Sequence, residues 1–323
     1  MSPRIAAAIA LAALVSLPLW VANPYYVNIA SQVLIYAIFA LGLNVLVGYA
    51  GLVSLGHAGL FGLATYTASW LVASGTGQLP AAAAALAMAV AMSGVFALLA
   101  LRATGIGFLM ITLALGQIVW GIAYRWISLT NGDNGINLGA RPMPFGASLA
   151  SAGNFYFFTM IAFLLALAAM AVFVRSPLGA SLRGTRDQPR RMTALGYNVW
   201  LVRFLAFLFS GFWTGVAGLL FGYYHQFVSP QVLHLTASAE VLLMVISGGT
   251  GTLLGPLAGA ALVVAMKTVA SAYIERWNLV LGAIFVAIIV FMPEGLVPGS
   301  ARLWRWAWRR LAASPASATG QRP

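Results

Sequence analysis

Long apolar runs, separated by short polar or glycine-rich stretches, make up most of this chain. A membrane-spanning helix needs about 20 consecutive, mostly apolar residues. Ten stretches reach or approach that length, and each is a predicted span: residues 5–22, 27–47, 57–74, 80–101, 105–128, 153–174, 203–224, 237–250, 256–273 and 278–297. The pattern therefore predicts an all-α integral membrane protein, a polytopic helical bundle of about eight to ten transmembrane helices.

Two glycine-rich stretches interrupt the apolar runs, near residues 48–57 and 249–256. They read GYAGLVSLGHAGLFG and GGTGTLLGPLAGA. Small residues let helix backbones approach closely in lipid, so each stretch either packs helices together or forms a broken or re-entrant segment that lines a transport path. The candidate pathway residues in and beside these stretches are Ser54, Gly56, His57, Glu240, Gly248 and Gly249.

Composition and charge favour the same class of protein. The chain is 62% hydrophobic and 7% charged, whereas a soluble domain has about 25% charged residues. The net charge is +12, and the arginines cluster between apolar runs, which favours a lipid bilayer over nucleic acid as the partner. Lys267, the only lysine, lies within an apolar run, which excludes a P-loop.

The placement of the arginines predicts how the chain is oriented. Residues 175–203 contain six arginines and one acidic residue, Asp187. Cytoplasmic loops carry an excess of arginine and lysine, so this segment and, with ten spans, both termini are predicted to be cytoplasmic. We expect one transmembrane domain over residues 1–300, with a cytoplasmic loop at about 176–202. A basic, aromatic cytoplasmic tail over residues 301–323 follows it.

A few polar side chains inside the apolar runs have open roles. His57 either bonds a backbone carbonyl freed by the glycine break or touches the transported solute. Glu240 and Lys267 either pair across adjacent helices, or the lysine extends on its own to the membrane surface. His225 and His234 lack the spacing of metal ligands on a helix face. The sequence predicts no metal site, no cofactor and no catalytic residues.

Four blocks of sequence resemble the signatures of LivM-type permeases, which belong to branched-chain amino acid importers of the ATP-binding-cassette (ABC) class. The blocks are GYAGLVSLGHAGLFGLATYT, SPLGASLRGTRDQPRRMTALGYN, FVSPQVLHLTASAEVLLMVISGGTGTLLGPLAGA and WNLVLGAIFVAIIVFMPEGLVPG. They occur in the family's order between about residues 25 and 298. The resemblance implies a permease subunit that moves branched-chain or similar hydrophobic amino acids across the bacterial inner membrane.

The resemblance also implies partner chains and a docking loop. A second, LivH-like permease subunit, cytoplasmic ABC ATPase subunits and a periplasmic solute-binding protein would complete the importer. ATP hydrolysis would take place on the ATPase chains, so this chain would not itself be an enzyme. Pro189 and Thr193 differ from the glutamates that many relatives carry at these positions. The residues implied to form the ATPase-coupling loop are Arg183, Arg186, Asp187, Ala194, Leu195 and Gly196.

The residues leave other functions open. The same class of importer also serves urea, short amides and other small organic solutes, and the binding protein mainly selects among these solutes. A secondary transporter acting alone would need acidic residues inside the membrane for ion coupling, and the sequence offers almost none. An intramembrane hydrolase is disfavoured because Leu208 stands where a serine motif at Ser210 would need glycine.

Overall fold

The computed structural model of this chain describes residues 23–139, 149–300 and 302. The predicted span at residues 5–22 and almost all of the predicted tail at 301–323 lie outside these residues. The described helices are α1 (Pro24–Asn44), α2 (His57–Ala73), α3 (Gln78–Ala100), α4 (Ile106–Arg125), α5 (Ile127–Thr130), α6 (Ala152–Arg175), α7 (Pro177–Asp187), α8 (Pro189–Ala194), α9 (Val199–His225), α10 (Leu235–Gly248), α11 (Gly255–Ala265), α12 (Ser271–Tyr273) and α13 (Trp277–Phe291). Two short strands, β1 (Ile136–Asn137) and β2 (Phe227–Val228), pair antiparallel.

Six segments of the described chain are long and apolar enough to cross a membrane. They are Pro24–Ala50, Gln78–Ala100, Ile106–Arg125, Ala152–Arg175, Val199–His225 and Gly255–Tyr273. The other three predicted spans in this part of the chain are shorter helices: α2 with 17 residues, α10 with 14 and α13 with 15. The predicted spans at 57–74 and 237–250 agree with α2 and α10 to within two residues at each end, whereas α13 ends at Phe291, short of the predicted 297. The glycine-rich breaks lie directly before α2 and directly after α10.

Local sequence signals set the end of α6 and the starts of α7 and α9. The Ser176 side chain accepts a hydrogen bond from the backbone amide of Gly179 at 3.2 Å, and Pro177 occupies the first turn of α7. This is a capped helix start with proline where its missing N–H costs nothing. Helix α6 accordingly ends at Arg175, as the Ser-Pro pair predicts. Asn198 caps α9 in the same way.

The bundle has two ends, which we name by what lies there. Helices α7 and α8 mark the basic end, where Arg203 near the start of α9 donates to the Thr185 carbonyl at 2.8 Å. The paired strands mark the strand end, where the Leu138 amide donates to the carbonyl of Gln226, one residue past α9, at 2.9 Å. Helix α9 therefore runs the full length of the bundle from the basic end to the strand end.

Helix α1 lies at the centre of the bundle. Every residue from Ala37 to Asn44 is buried, and α1 packs against α6, α9 and α11. A helix that is apolar on all faces is stable only when it is covered on all faces, which explains this central position. Helix α9 packs in turn against α2 and α3, so α1 and α9 together form the centre against which α2, α3, α6 and α11 pack.

Both glycine-rich stretches are breaks between helices, which is one of the two alternatives that the sequence left open. A π-helical turn, Val45–Ala50, extends α1, and Gly51 then adopts a φ of 69° before a non-helical stretch that leads to α2. Gly249 and Gly251, with φ of 120° and 73°, do the same between α10 and α11. Glycine has no Cβ and enters this left-handed region without strain, so it allows the chain to turn here.

Candidate functional site

Helices α7 and α8 form a compact structure at the basic end. The inner face of α7 is buried, whereas α8 has no buried residue, so α8 is the outer layer. Leu195, just after α8, has 64% of its surface exposed, and Tyr197 has 48%. Gly196 between them has a φ of 85°, a left-handed conformation that ends the helix. Exposed apolar side chains beside several arginines are typical of a protein docking surface.

The predicted coupling residues separate into two groups. All six are exposed, and Arg183 and Arg186 form the second group because their guanidinium groups also bond backbone carbonyls. Arg183 donates to the Val174 carbonyl at 3.0 Å, which ties α7 to the end of α6.

Arg186 belongs to the second group, because its side chain turns toward the bundle. Its Nη1 donates a hydrogen bond to the carbonyl of Gly48, in the π-helical turn that follows α1. A Cβ built on Gly51 would lie 2.9 Å from Cγ of the same arginine. Arg186 therefore joins the basic loop directly to the first glycine break.

The two glycine breaks meet at Asn44, which the sequence analysis did not identify. The Asn44 side chain is buried, donates to the Thr252 carbonyl and accepts from the Gly251 amide, both at 2.9 Å. Gly48 lies so close to Gly251 that any side chain at position 48 would overlap it. We call this contact between residues 44–51 and 249–252 the break junction. In the sequence, the only hint of this contact is that Asn44 places an amide side chain within an apolar run, just before a glycine-rich stretch.

His57 lies inside the bundle in a closed hydrogen-bond network. Its Nδ1 is 2.8 Å from Oγ of Ser54, and its Nε2 is 2.9 Å from Oγ of Ser210. Ser210 donates its one proton to the Gly42 carbonyl at 2.6 Å, so it accepts from Nε2. Ser54 then donates to Nδ1. The ring is neutral, fully bonded and completely buried, and it links α1, α2 and α9.

The glycines predicted to line a pathway are in close contact with backbone. A Cβ on Gly56 would overlap the Thr112 carbonyl, and one on Gly248 would overlap the Gly255 carbonyl. One on Gly249 would lie 2.8 Å from the ring of Pro298. Of the two interpretations of these stretches, the contacts support close helix packing at these three positions.

Glu240 of α10 and Lys267 form an ion pair across neighbouring elements. Nζ of Lys267 lies 3.2 Å from one carboxylate oxygen and 3.3 Å from the other. Lys267 sits in a second π-helical turn, Met266–Ala270, between α11 and α12. Of the two alternatives that the sequence left open, the structure therefore supports pairing. A lysine that only extends to the membrane surface, without a partner, does not account for these distances.

The ion pair faces a partly open cavity of about 400 Å³ toward the strand end. Four aromatic residues, Tyr36, Phe39, Phe61 and Phe221, form one wall, and His225, Glu240 and Lys267 supply charge and polarity. Of the six predicted pathway residues, the structure brings only Glu240 to this cavity. Within the described residues no group of three His, Asp or Glu side chains is placed to hold a metal ion.

Comparison with known proteins identifies the family. Residues 25–289 match the family model described as branched-chain amino acid transport system / permease component. The chain is 30% identical over 296 residues to the high-affinity branched-chain amino acid transport system permease protein LivM of Escherichia coli, covering 84% of this chain and 70% of that one. It is 31% identical over 299 residues to LivM of Salmonella typhimurium, with the same coverage.

A more distant likeness and the absence of a structural match complete the comparison. The chain is 24% identical over 298 residues to the permease protein LivH of Escherichia coli, covering 81% of this chain and 91% of that one. No solved structure matches the chain significantly. The family match and the apolar helices show a multi-pass membrane protein of a transport system. The chain belongs to the family of branched-chain amino acid transport system permease components.

Proposed function

We propose that this chain is the permease subunit of an ABC importer that moves branched-chain or similar hydrophobic amino acids across the bacterial inner membrane. In this proposal a second, LivH-like permease completes the pathway, cytoplasmic ATPase subunits supply the energy, and a periplasmic binding protein delivers the solute. The basic end faces the cytoplasm and the strand end faces the periplasm. The arginine excess in residues 175–203 supports this orientation.

The hydrogen bond from Arg186 to Gly48 is the observation that carries the proposal. Docking of an ATPase on the exposed surface of α8 would move α7, since the two short helices pack on each other. Arg186 would transmit that movement to the π-helical turn after α1. A turn already departing from α-helical geometry, followed by glycine, can change its dihedral angles at low cost. A permease needs such a link between an external motor and its pathway.

The break junction supports a role as a gate at the basic end. Asn44 holds the two breaks together with two hydrogen bonds, and neither the Val45–Ala50 turn nor residues 249–252 are α-helical. Movement of the Val45–Ala50 turn would pull Asn44 and Gly48 away from Gly251. The cavity lies on the strand-end side of the break junction. Opening of the junction would therefore connect the cavity to the cytoplasm. Alternating access then amounts to opening the junction while the periplasmic side closes.

The test is purification of the tagged chain from native membranes, followed by identification of the co-purifying proteins. We expect a P-loop ATPase, a second apolar permease and a periplasmic binding protein. Reconstituted in proteoliposomes, the complex should take up leucine only when ATP is inside with the ATPase subunits. Uptake by the chain alone, without ATP, would overturn the proposal in favour of a secondary transporter. ATP-driven uptake of urea or short amides, but not of leucine, would overturn the proposed solute only.

A further inference from the structure

We propose that the cavity bounded by α1, α2, α9 and α10 is a transient binding site for a zwitterionic amino acid, held by Glu240 and Lys267. This inference rests on the proposed function and assigns the place and the chemistry at which the permease holds its solute in transit. Glu240 would accept hydrogen bonds from the ammonium group. Lys267 would donate to the carboxylate.

The ion pair has the arrangement that a free amino acid requires. Both charges line the cavity, and the Glu240 and Lys267 side chains keep 23% and 43% of their surface exposed. An amino acid inserted between them would replace one internal ion pair with two intermolecular pairs. The net charge of the site stays zero throughout, which limits the cost of desolvation in the apolar bundle.

The aromatic part of the cavity lining suits an apolar side chain. The rings of Phe39 and Phe61 stack at 4.5 Å, and Phe61 meets Phe221 at 5.2 Å. These three rings are at most 8% exposed, so packing behind them fixes their positions. A rigid aromatic wall gives contact area for a branched aliphatic side chain without ordering flexible groups.

The size and the backbone around the cavity fit a small solute. Its volume of about 400 Å³ lies within the range of roughly 300 to 1,000 Å³ typical of small-molecule sites. The π-helical turn Met266–Ala270 carries Lys267 into the cavity, and such turns frequently occur at functional sites. Ser229 and Gln231, in the loop that follows β2, add polar groups to the lining.

Binding of radiolabelled L-leucine to the intact importer complex tests the site. The complex is purified from native membranes, washed free of soluble binding protein and held in nanodiscs. We expect saturable binding by the unchanged complex, and a Kd raised about tenfold or more in Glu240→Gln or Lys267→Met. Leucinamide lacks the carboxylate and 4-methylpentanoate lacks the ammonium group, so both should compete poorly.

Glu294→Gln is the matched control, because it removes a carboxylate from another ion pair, with Arg302 at 3.3 Å, that does not border this cavity. It should bind leucine like the unchanged complex. Equal Kd values in Glu240→Gln and Glu294→Gln would overturn the proposal. So would the absence of saturable binding by the unchanged complex.

A charge exchange keeps the proposal testable if the single variants fold poorly. Glu240→Lys combined with Lys267→Glu restores an ion pair while reversing its direction across the cavity. With the aromatic wall unchanged, exchanging the ammonium and carboxylate positions corresponds to the mirror image of the amino acid at Cα. The double variant should therefore shift its preference from L-leucine toward D-leucine. Full recovery of L-leucine binding would show that the pair is structural only and would overturn the proposal.

Leucine uptake by the same preparation separates this inference from the proposed function. ATP-driven leucine uptake that is unaffected by Glu240→Gln and Lys267→Met would overturn the binding site and leave the importer function in place. Absence of leucine uptake by the unchanged complex would instead overturn the proposed function.

Discussion

The guanidinium group of Arg186 donates a hydrogen bond to the carbonyl oxygen of Gly48. This bond joins a short helix at the outside of the bundle to the end of its most buried helix. The carbonyl belongs to a π-helical turn that leads into a glycine. One side chain therefore connects the basic loop, where we propose that the ATPase docks, with the π-helical turn that we propose moves.

Replacing Arg186 with alanine should uncouple transport from ATP hydrolysis. A hydrogen bond to a charged group contributes about 1.5–3 kcal/mol, so its loss should lower ATP-driven leucine uptake by about tenfold or more. ATPase activity should persist, because the variant leaves the exposed surface of α8 intact. Uptake and ATP hydrolysis, measured in the same proteoliposomes, check this prediction. Arg190→Ala, which removes an exposed arginine of α8, is the matched control for loss of charge.

Asn44→Leu should destabilise the protein and impair transport. The change leaves the Gly251 amide and the Thr252 carbonyl without their partner at a partly buried site. Each such group costs about 1–3 kcal/mol, so we expect the free energy of unfolding to fall by about 2–6 kcal/mol. Denaturant titration of the purified complex measures the change.

Asn28→Leu is the control for this change, in the same helix. Its Oδ1 is buried and has no hydrogen-bond partner in the described structure. Leucine at position 28 should therefore leave stability unchanged or raise it slightly. A similar loss of stability in both variants would contradict the role assigned to Asn44.

Gly259→Ala should weaken the packing of α10 on α11. A Cβ at this position would overlap the carbonyl oxygen of Met244, a backbone atom that cannot turn away. Overpacking of this kind costs about 1–3 kcal/mol, and the thermal unfolding midpoint of the complex should fall accordingly. Gly121→Ala in α4 meets no atom within 4 Å and should have no such effect. Equal midpoints for the two variants would show that α11 can shift to accept the extra methyl group.

His57 should behave as a structural residue in a double-mutant cycle with Ser210. His57→Ala and Ser210→Ala each remove one side of the Nε2 contact. Because both groups belong to one buried network, their effects on the free energy of unfolding should be coupled by about 1 kcal/mol. The KM for leucine should stay constant in variants that assemble. A changed KM with normal stability would instead indicate that His57 touches the transported solute.

The sequence predicted the elements that depend on local residue types. Apolar runs of sufficient length gave the six long spans, Ser176 and Pro177 gave the end of α6, and the glycine clusters gave the positions of the two breaks. Each of these follows from the chemistry of neighbouring residues. The span at 278–297 was predicted too long, because hydropathy alone does not show that α13 ends at Phe291 inside the apolar run.

The contacts between distant residues could not be predicted in the same way. Asn44 and Gly251 are separated by 207 positions, and Arg186 and Gly48 by 138. No local pattern states which side chain meets which backbone group across the bundle. The loop arginines supported only an external role, since exposed arginines are the rule there, so the inward direction of Arg186 was not foreseen. For Glu240 and Lys267 the sequence could state two alternatives without choosing between them.

The break junction also bears on how the membrane stays electrically sealed. A transporter must hold off protons and ions between cycles, or the membrane potential drains through it. At the junction the Asn44 amide already bonds the backbone groups of Gly251 and Thr252, and Gly48 lies against Gly251. The polar groups that meet here are therefore already bonded to one another. In the proposed importer, the same contacts that receive the mechanical signal from Arg186 would also insulate the resting protein against leakage of ions.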